Sequence, residues 1–160
     1  MLELGKSGSN GTERGTLPVL SGDAVVATLQ ASNWKEAATA QVGDRSWVFS
    51  RHGARELTGR WAADPADAVR LRAQQVSFWR GTWSVELDAT AVEVATASRW
   101  KGTHRYTVGG RTLAESGTTG GWNPRPTLTP QADLPLDSAV FLLWFELVLS
   151  RRTAAAAAAA

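Results

Sequence analysis

The sequence predicts a mainly β fold: an antiparallel β-barrel or rolled sheet of about 9–12 strands enclosing a C-terminal hydrophobic α-helix. Three observations carry this expectation. Short runs with strand character recur between Asp23 and Ser116 at a spacing of about 8–12 residues. Amphipathic helical periodicity is almost absent from that region. The segment Leu136–Ser150 (LDSAVFLLWFELVLS) is then apolar on every helical face, follows Pro130 and Pro135, and stops at Arg151-Arg152. A helix apolar all round needs a lining on every side. A wide barrel needs a filling that its own side chains cannot supply. Each element answers the need of the other.

The strands are read in order. Asp23–Ala31 is rich in Val and Thr, and Trp34–Val42 follows Ser32-Asn33. Gly43-Asp44 turns the chain into Arg45–Arg51, where Trp47 and Phe49 face one way and Ser46, Val48 and Ser50 the other. After His52-Gly53, Arg55–Ala62 places Leu57, Gly59 and Trp61 on one face, and Asp64-Pro65 ends it. Val69–Gln75 alternates Val69, Leu71 and Ala73 against Arg70, Arg72 and Gln74. Ser77–Leu87 alternates most strongly, with Trp79, Gly81, Trp83, Val85 and Leu87 on one side. Thr90–Ala97 and Arg99–Val108 follow, the latter carrying Tyr106 and Val108. Gly109-Gly110 reads as a hairpin turn into Arg111–Ser116. Gly117–Gly121 reads as a loop before Trp122.

Length sets one domain. Residues 1–16 are expected to be flexible and to add little to the fold, and residues 17–153 to form the barrel, with its central helix at about 136–152. Residues 154–160 form an alanine tail that extends the helix or frays. The chain has no cysteine, which removes disulfides, thiol catalysis and thiolate metal sites. The N-terminal region lacks the apolar core of a signal peptide, so a cytoplasmic location is expected. The eight tryptophans are spread almost evenly. That spread predicts core filling and rim anchoring rather than a stacking platform.

The apolar run is shorter than the roughly 20 residues of a membrane-spanning helix. Glu146 near its middle would cost about 2.5 kcal/mol or more in lipid. A buried helix is therefore expected, with a tail anchor as the rival. Ser138, Leu142, Glu146 and Ser150 share one helical stripe. Glu146 is then an unusual buried acid, expected to face a gap or mouth of the barrel or to pair with an arginine.

No cofactor or metal site is read. Gly5-Lys6-Ser7 lacks the upstream glycine and strand of a phosphate loop. His52 and His104, the two histidines, are read as surface residues, and no Gly-x-Ser-x-Gly elbow occurs. The basic residues are fourteen Arg and three Lys. Arg70 and Arg72 share a strand face, and Arg80, Arg99, Lys101 and Arg105 recur on the runs that follow. Of these, Arg70, Arg72, Arg80 and Lys101 are the candidate anion-binding residues, with Glu86, Glu93 and Glu115 as the acids that would otherwise pair with them across strands. Nucleic acid is not an expected partner, because charge is weakly positive and clustered exposed aromatics are not read.

A strand-rich chain closed by an apolar C-terminal helix with basic residues after it resembles the tubby C-terminal-like superfamily. That group includes the tubby domain, the phospholipid scramblases and the LURP-one-related proteins. The resemblance rests on Leu134–Arg152 and on the runs 77–87, 90–97 and 99–116, and spans about residues 23–152. It implies a twelve-stranded barrel around a central helix, and binding of phosphoinositide or other lipid. The tubby lipid site is led by lysines, whereas only Lys6, Lys35 and Lys101 occur here, so no site residue carries over. The expected function is a binding or interaction module, contacting anionic phospholipid headgroups or a protein, rather than an enzyme. The alternatives are a small enzyme with a barrel-mouth pocket near Glu146 and His52 or His104, or a tail-anchored membrane-associated protein.

Overall fold

The computed structural model describes residues 1–77, 79–131 and 133–160. Its strands are β1 (Leu2–Leu4), β2 (Leu17–Ser21), β3 (Ala24–Ala31), β4 (Ala38–Val42), β5 (Arg45–His52), β6 (Glu56–Trp61), β7 (Leu71–Ser77), β8 (Thr82–Leu87), β9 (Thr90–Ser98), β10 (Thr103–Val108), β11 (Arg111–Thr119) and β12 (Arg125–Pro130). The helix α1 runs Leu136–Ala159. Each strand pairs antiparallel with the next, and β12 returns to β1 to close a twelve-stranded barrel. The expected mainly β barrel around a C-terminal helix is what the chain forms.

Three strands escaped the sequence reading: β1, β2 and β12. They form the seam. Leu2 pairs with both Leu128 and Ser21, so the short β1 bridges β12 to β2. Residues 1–16 therefore contribute to the fold, and Leu2 and Leu4 are buried in the core. Other boundaries shift too. Trp34, Trp79 and Arg99 lie in turns rather than on strands. Within Gly117–Gly121, the first three residues continue β11, and Gly117 pairs with Thr127. The alanine tail extends the helix.

The barrel interior is filled as its width demands. Phe141, Leu142, Leu143, Trp144 and Phe145 of α1 are buried all round. Phe49 packs its ring 5.3 Å from those of both Phe141 and Trp144, and Trp83 lies 5.1 Å from Phe145. Gly59 makes room for this layer, since a Cβ there would lie 3.1 Å from the Phe49 ring. Among the described residues, no helix is long and apolar enough to cross a membrane.

An up-and-down meander sorts its turns by parity. The turns after β2, β4, β6, β8 and β10 lie at one end, here called lower, where α1 begins. The turns after the odd-numbered strands lie at the upper end, where α1 emerges. Two contacts fix this direction. Near the helix start, Asp137 takes hydrogen bonds from Arg45 Nε and Trp47 Nε1, each at 2.7 Å. Near its exit, Arg152 forks onto Glu36 at 2.6 Å for both bonds.

Candidate functional site

The upper end carries a repeated local device. Ser32-Asn33-Trp34-Lys35, Ser77 to Arg80 and Ser98-Arg99-Trp100-Lys101 share the order Ser, any residue, Trp, cation. In each, the serine Oγ accepts a hydrogen bond from the backbone N–H of the cation, at 3.1, 3.2 and 3.3 Å for Lys35, Arg80 and Lys101. A short hydroxyl that bonds to nearby backbone tightens a turn. It leaves the tryptophan at the tip. A fourth tryptophan, Trp122, occupies the turn between β11 and β12.

These four side chains are almost wholly exposed: Trp34 96%, Trp79 93%, Trp100 100% and Trp122 101%. Trp47, Trp83 and Trp144 are buried, and Trp61 packs against the core. Core filling thus accounts for half of the tryptophans. The other half gather at one end, with four of the six upper turns tipped in this way. Solitary exposed apolar residues are ordinary, whereas a gathered set marks an interaction surface.

Charge follows the same division. All three lysines lie in upper turns, and all seven aspartates lie in lower turns, in the connection from β12 to α1 or in the first turn of α1. Lys6, Arg14, Lys35, Arg80, Arg99 and Lys101 have no acidic partner among the described residues. By contrast, Arg45 pairs with Asp137, Arg70 with Asp64, Arg105 with Glu115 and Arg111 with Asp133. Some upper cations are paired: Arg51 and Arg152 share Glu36, and Arg125 bonds to Glu3. The Arg152 fork holds the Glu36 carboxyl below the usual range, against the opposing pull of burial.

The four candidate anion-binding residues do not form one surface. Arg70 sits at the lower end, bonded to Asp64 and stacked 3.6 Å over Trp61. Arg72 lies on the wall, 3.4 Å from Glu56. Arg80 and Lys101 stand at the upper rim beside Trp79 and Trp100. Rim anchoring is expected of some tryptophans, but their even spread hides that the exposed four meet at one end. Trp79, Trp100 and Trp122 are 21 and 22 residues apart. That interval is two strands and two turns, which in a meander returns the chain to the same end.

Beneath the rim lies a buried polar cluster. Glu146 is 5% exposed. Its carboxylate accepts from the Tyr106 hydroxyl and lies 3.0 and 3.1 Å from His104 Nδ1. Burial, and then the negative charge of Glu146, push the Tyr106 phenol well above its ordinary value. The phenol therefore stays protonated and donates. Of the two expectations for Glu146, it faces the upper mouth of the barrel, and its partners are His104 and Tyr106 rather than an arginine. His104 is not an exposed surface residue either, its side chain being 19% accessible. Its spacing held the signal: His104 is two residues from the inward Tyr106, so alternation puts both on the inner face. His52 is exposed at the end of β5.

No family model, curated protein or solved structure matches the chain.

Proposed function

We propose that the protein is a membrane-docking module that seats the upper end of its barrel on an anionic bilayer. One observation carries the reading: four exposed tryptophans gather at that end among cations that have no acidic partner. Tryptophan has an apolar ring and a polar N–H, and settles at the headgroup level of a bilayer. Each neighbouring Lys or Arg adds about 1 kcal/mol at an anionic surface. Rim turns on a rigid barrel present these groups together without further ordering. The resemblance to the tubby-like superfamily, with its lipid-binding members, supports the same reading.

Vesicle sedimentation tests it. The protein is expected to sediment with phosphatidylserine-containing vesicles, to bind purely zwitterionic vesicles less, and to be released as salt rises. Tryptophan emission should shift to shorter wavelength on binding. Replacing Trp34, Trp79, Trp100 and Trp122 together by Ser should abolish sedimentation while leaving the fold intact. A wild-type protein that stays in the supernatant with anionic vesicles would overturn the reading.

A further inference from the structure

We propose that the cluster beneath the rim is a hydrolytic site for phosphodiesters, with His104 as general base and Glu146 and Tyr106 as its positioning residues. A cavity of about 590 Å³ opens at the upper end, between the emerging part of α1 and the turns after β9 and β11. His104, Glu146, Arg99, Lys101 and Trp83 are in its lining. A second cavity, of about 240 Å³, reaches His104 through the wall. It exists because β8 and β9 pair only through Ser84–Leu87 and Thr90–Glu93, while the upper part of β9 pairs with β10 alone. The imidazole is thus reached from two sides.

The geometry selects a tautomer. In the neutral imidazole, a carboxylate at Nδ1 keeps the N–H there and leaves the lone pair on Nε2. Nε2 has no hydrogen-bond partner among the described residues. The Tyr106 hydroxyl holds the carboxylate in turn. A buried acid on an otherwise apolar helix costs stability compared with a well-packed apolar residue. Here it buttresses an imidazole that faces open space. Arg99 and Lys101, which lack acidic partners, supply positive charge to the same cavity.

In the reaction, the oxygen of a water attacks phosphorus while Nε2 takes one of its protons. The bond from phosphorus to the departing alcohol oxygen breaks with its electron pair. That oxygen then takes the proton back from Nε2. The products are a phosphomonoester and an alcohol, and water is the sole co-reactant. Arg99 and Lys101 offset charge on the non-bridging oxygens. The choice of a phospholipid as the diester rests on the membrane-docking reading; the reaction itself does not.

The test uses the full chain with bis(p-nitrophenyl) phosphate in solution and, separately, with phosphatidylglycerol vesicles. Wild type is expected to release p-nitrophenol above the blank. His104→Gln should lower kcat by about 100-fold or more. Glu146→Gln and Tyr106→Phe should lower kcat while KM stays within about twofold. Arg99→Ala with Lys101→Ala, in an exposed turn, should keep the fold and lower kcat/KM, so the proposal stays testable if a core variant unfolds. Absence of hydrolysis of both substrates by wild type overturns the proposal, as does an unchanged rate in folded His104→Gln. Vesicle binding without hydrolysis removes this inference alone. Hydrolysis in solution without vesicle binding removes the docking reading alone.

Discussion

The two ends of the barrel are made by the same meander and share almost nothing else. Apart from the long connection over residues 62–70, the lower turns, among them Gly22-Asp23, Gly43-Asp44 and Gly109-Gly110, are two residues long, and the lower end carries all the aspartates. Upper turns are longer, carry all the lysines, and present four tryptophans to solvent. At the lower end, Arg45, Arg70 and Arg111 each have an acidic partner. At the upper end several cations have none among the described residues. Short paired turns close a fold. Long turns bearing exposed aromatics and unmatched charge are not what closes the barrel, and on the proposed reading they are the groups that meet a membrane.

The sharpest way to break this contrast is to reverse charge at one end and neutralise it at the other. Lys35→Glu, Arg80→Glu and Lys101→Glu together should weaken binding to anionic vesicles by about 100-fold or more. Asp23→Asn, Asp67→Asn and Asp88→Asn together should leave it no weaker. A gain from the second set as large, per unit charge, as the loss from the first would mean that net charge, rather than one face, governs binding.

A smaller effect is expected from the latch at the lower end. Burial alone would raise the Asp137 pKa, but hydrogen bonds from Arg45 and Trp47 outweigh it and hold the carboxyl below its usual range. A group depressed in the folded state stabilises above its unfolded pKa, about 3.9 for Asp, and that contribution is lost as pH falls through the folded value. Asp137→Asn should therefore destabilise by about 1–2 kcal/mol at neutral pH. Denaturant titrations should find this difference shrinking once the pH drops below about 4. A difference independent of pH would place the latch in packing rather than charge.

The smallest effect concerns turn chemistry. Asp88 and Ala89 both have positive φ, 47° and 66°. That conformation suits a two-residue hairpin but is unfavourable for alanine. Ala89→Gly should stabilise by about 0.5–1 kcal/mol, read as a higher Tm. An unchanged or lower Tm would show that the turn carries no such strain.

Much of the fold was legible because alternation and an all-apolar helix are strong signals. Phe49, Trp83 and Val85 declared an inner face, and Leu136–Ser150 declared what fills it. The seam was not legible. Leu2–Leu4 is too short to alternate, and Pro18 and Pro126 argue against strands by rule. The structure explains their tolerance: β1 ends at Leu4, so neither proline is among the residues paired with that strand, and Pro18 keeps its carbonyl bonded to the Gly5 N–H at 2.8 Å. The rim was hidden for another reason. Its residues are distant in sequence, and only the parity of the strands brings them together. His104 was masked by its neighbours Thr103 and Arg105, although its spacing from Tyr106 placed it inside.

The late position of α1 also sets the order in which the molecule can be assembled. During synthesis, β1 must wait for β12, more than 120 residues later, before the ring can close. The aromatic residues that fill the ring come later still. Until Phe141, Trp144 and Phe145 leave the ribosome, the strands have a dry face and nothing to put against it. Folding is therefore committed only once α1 has been made and depends on contacts distant in sequence, which slows it. Nascent chains stalled before residue 136 should bind holding chaperones until the helix arrives.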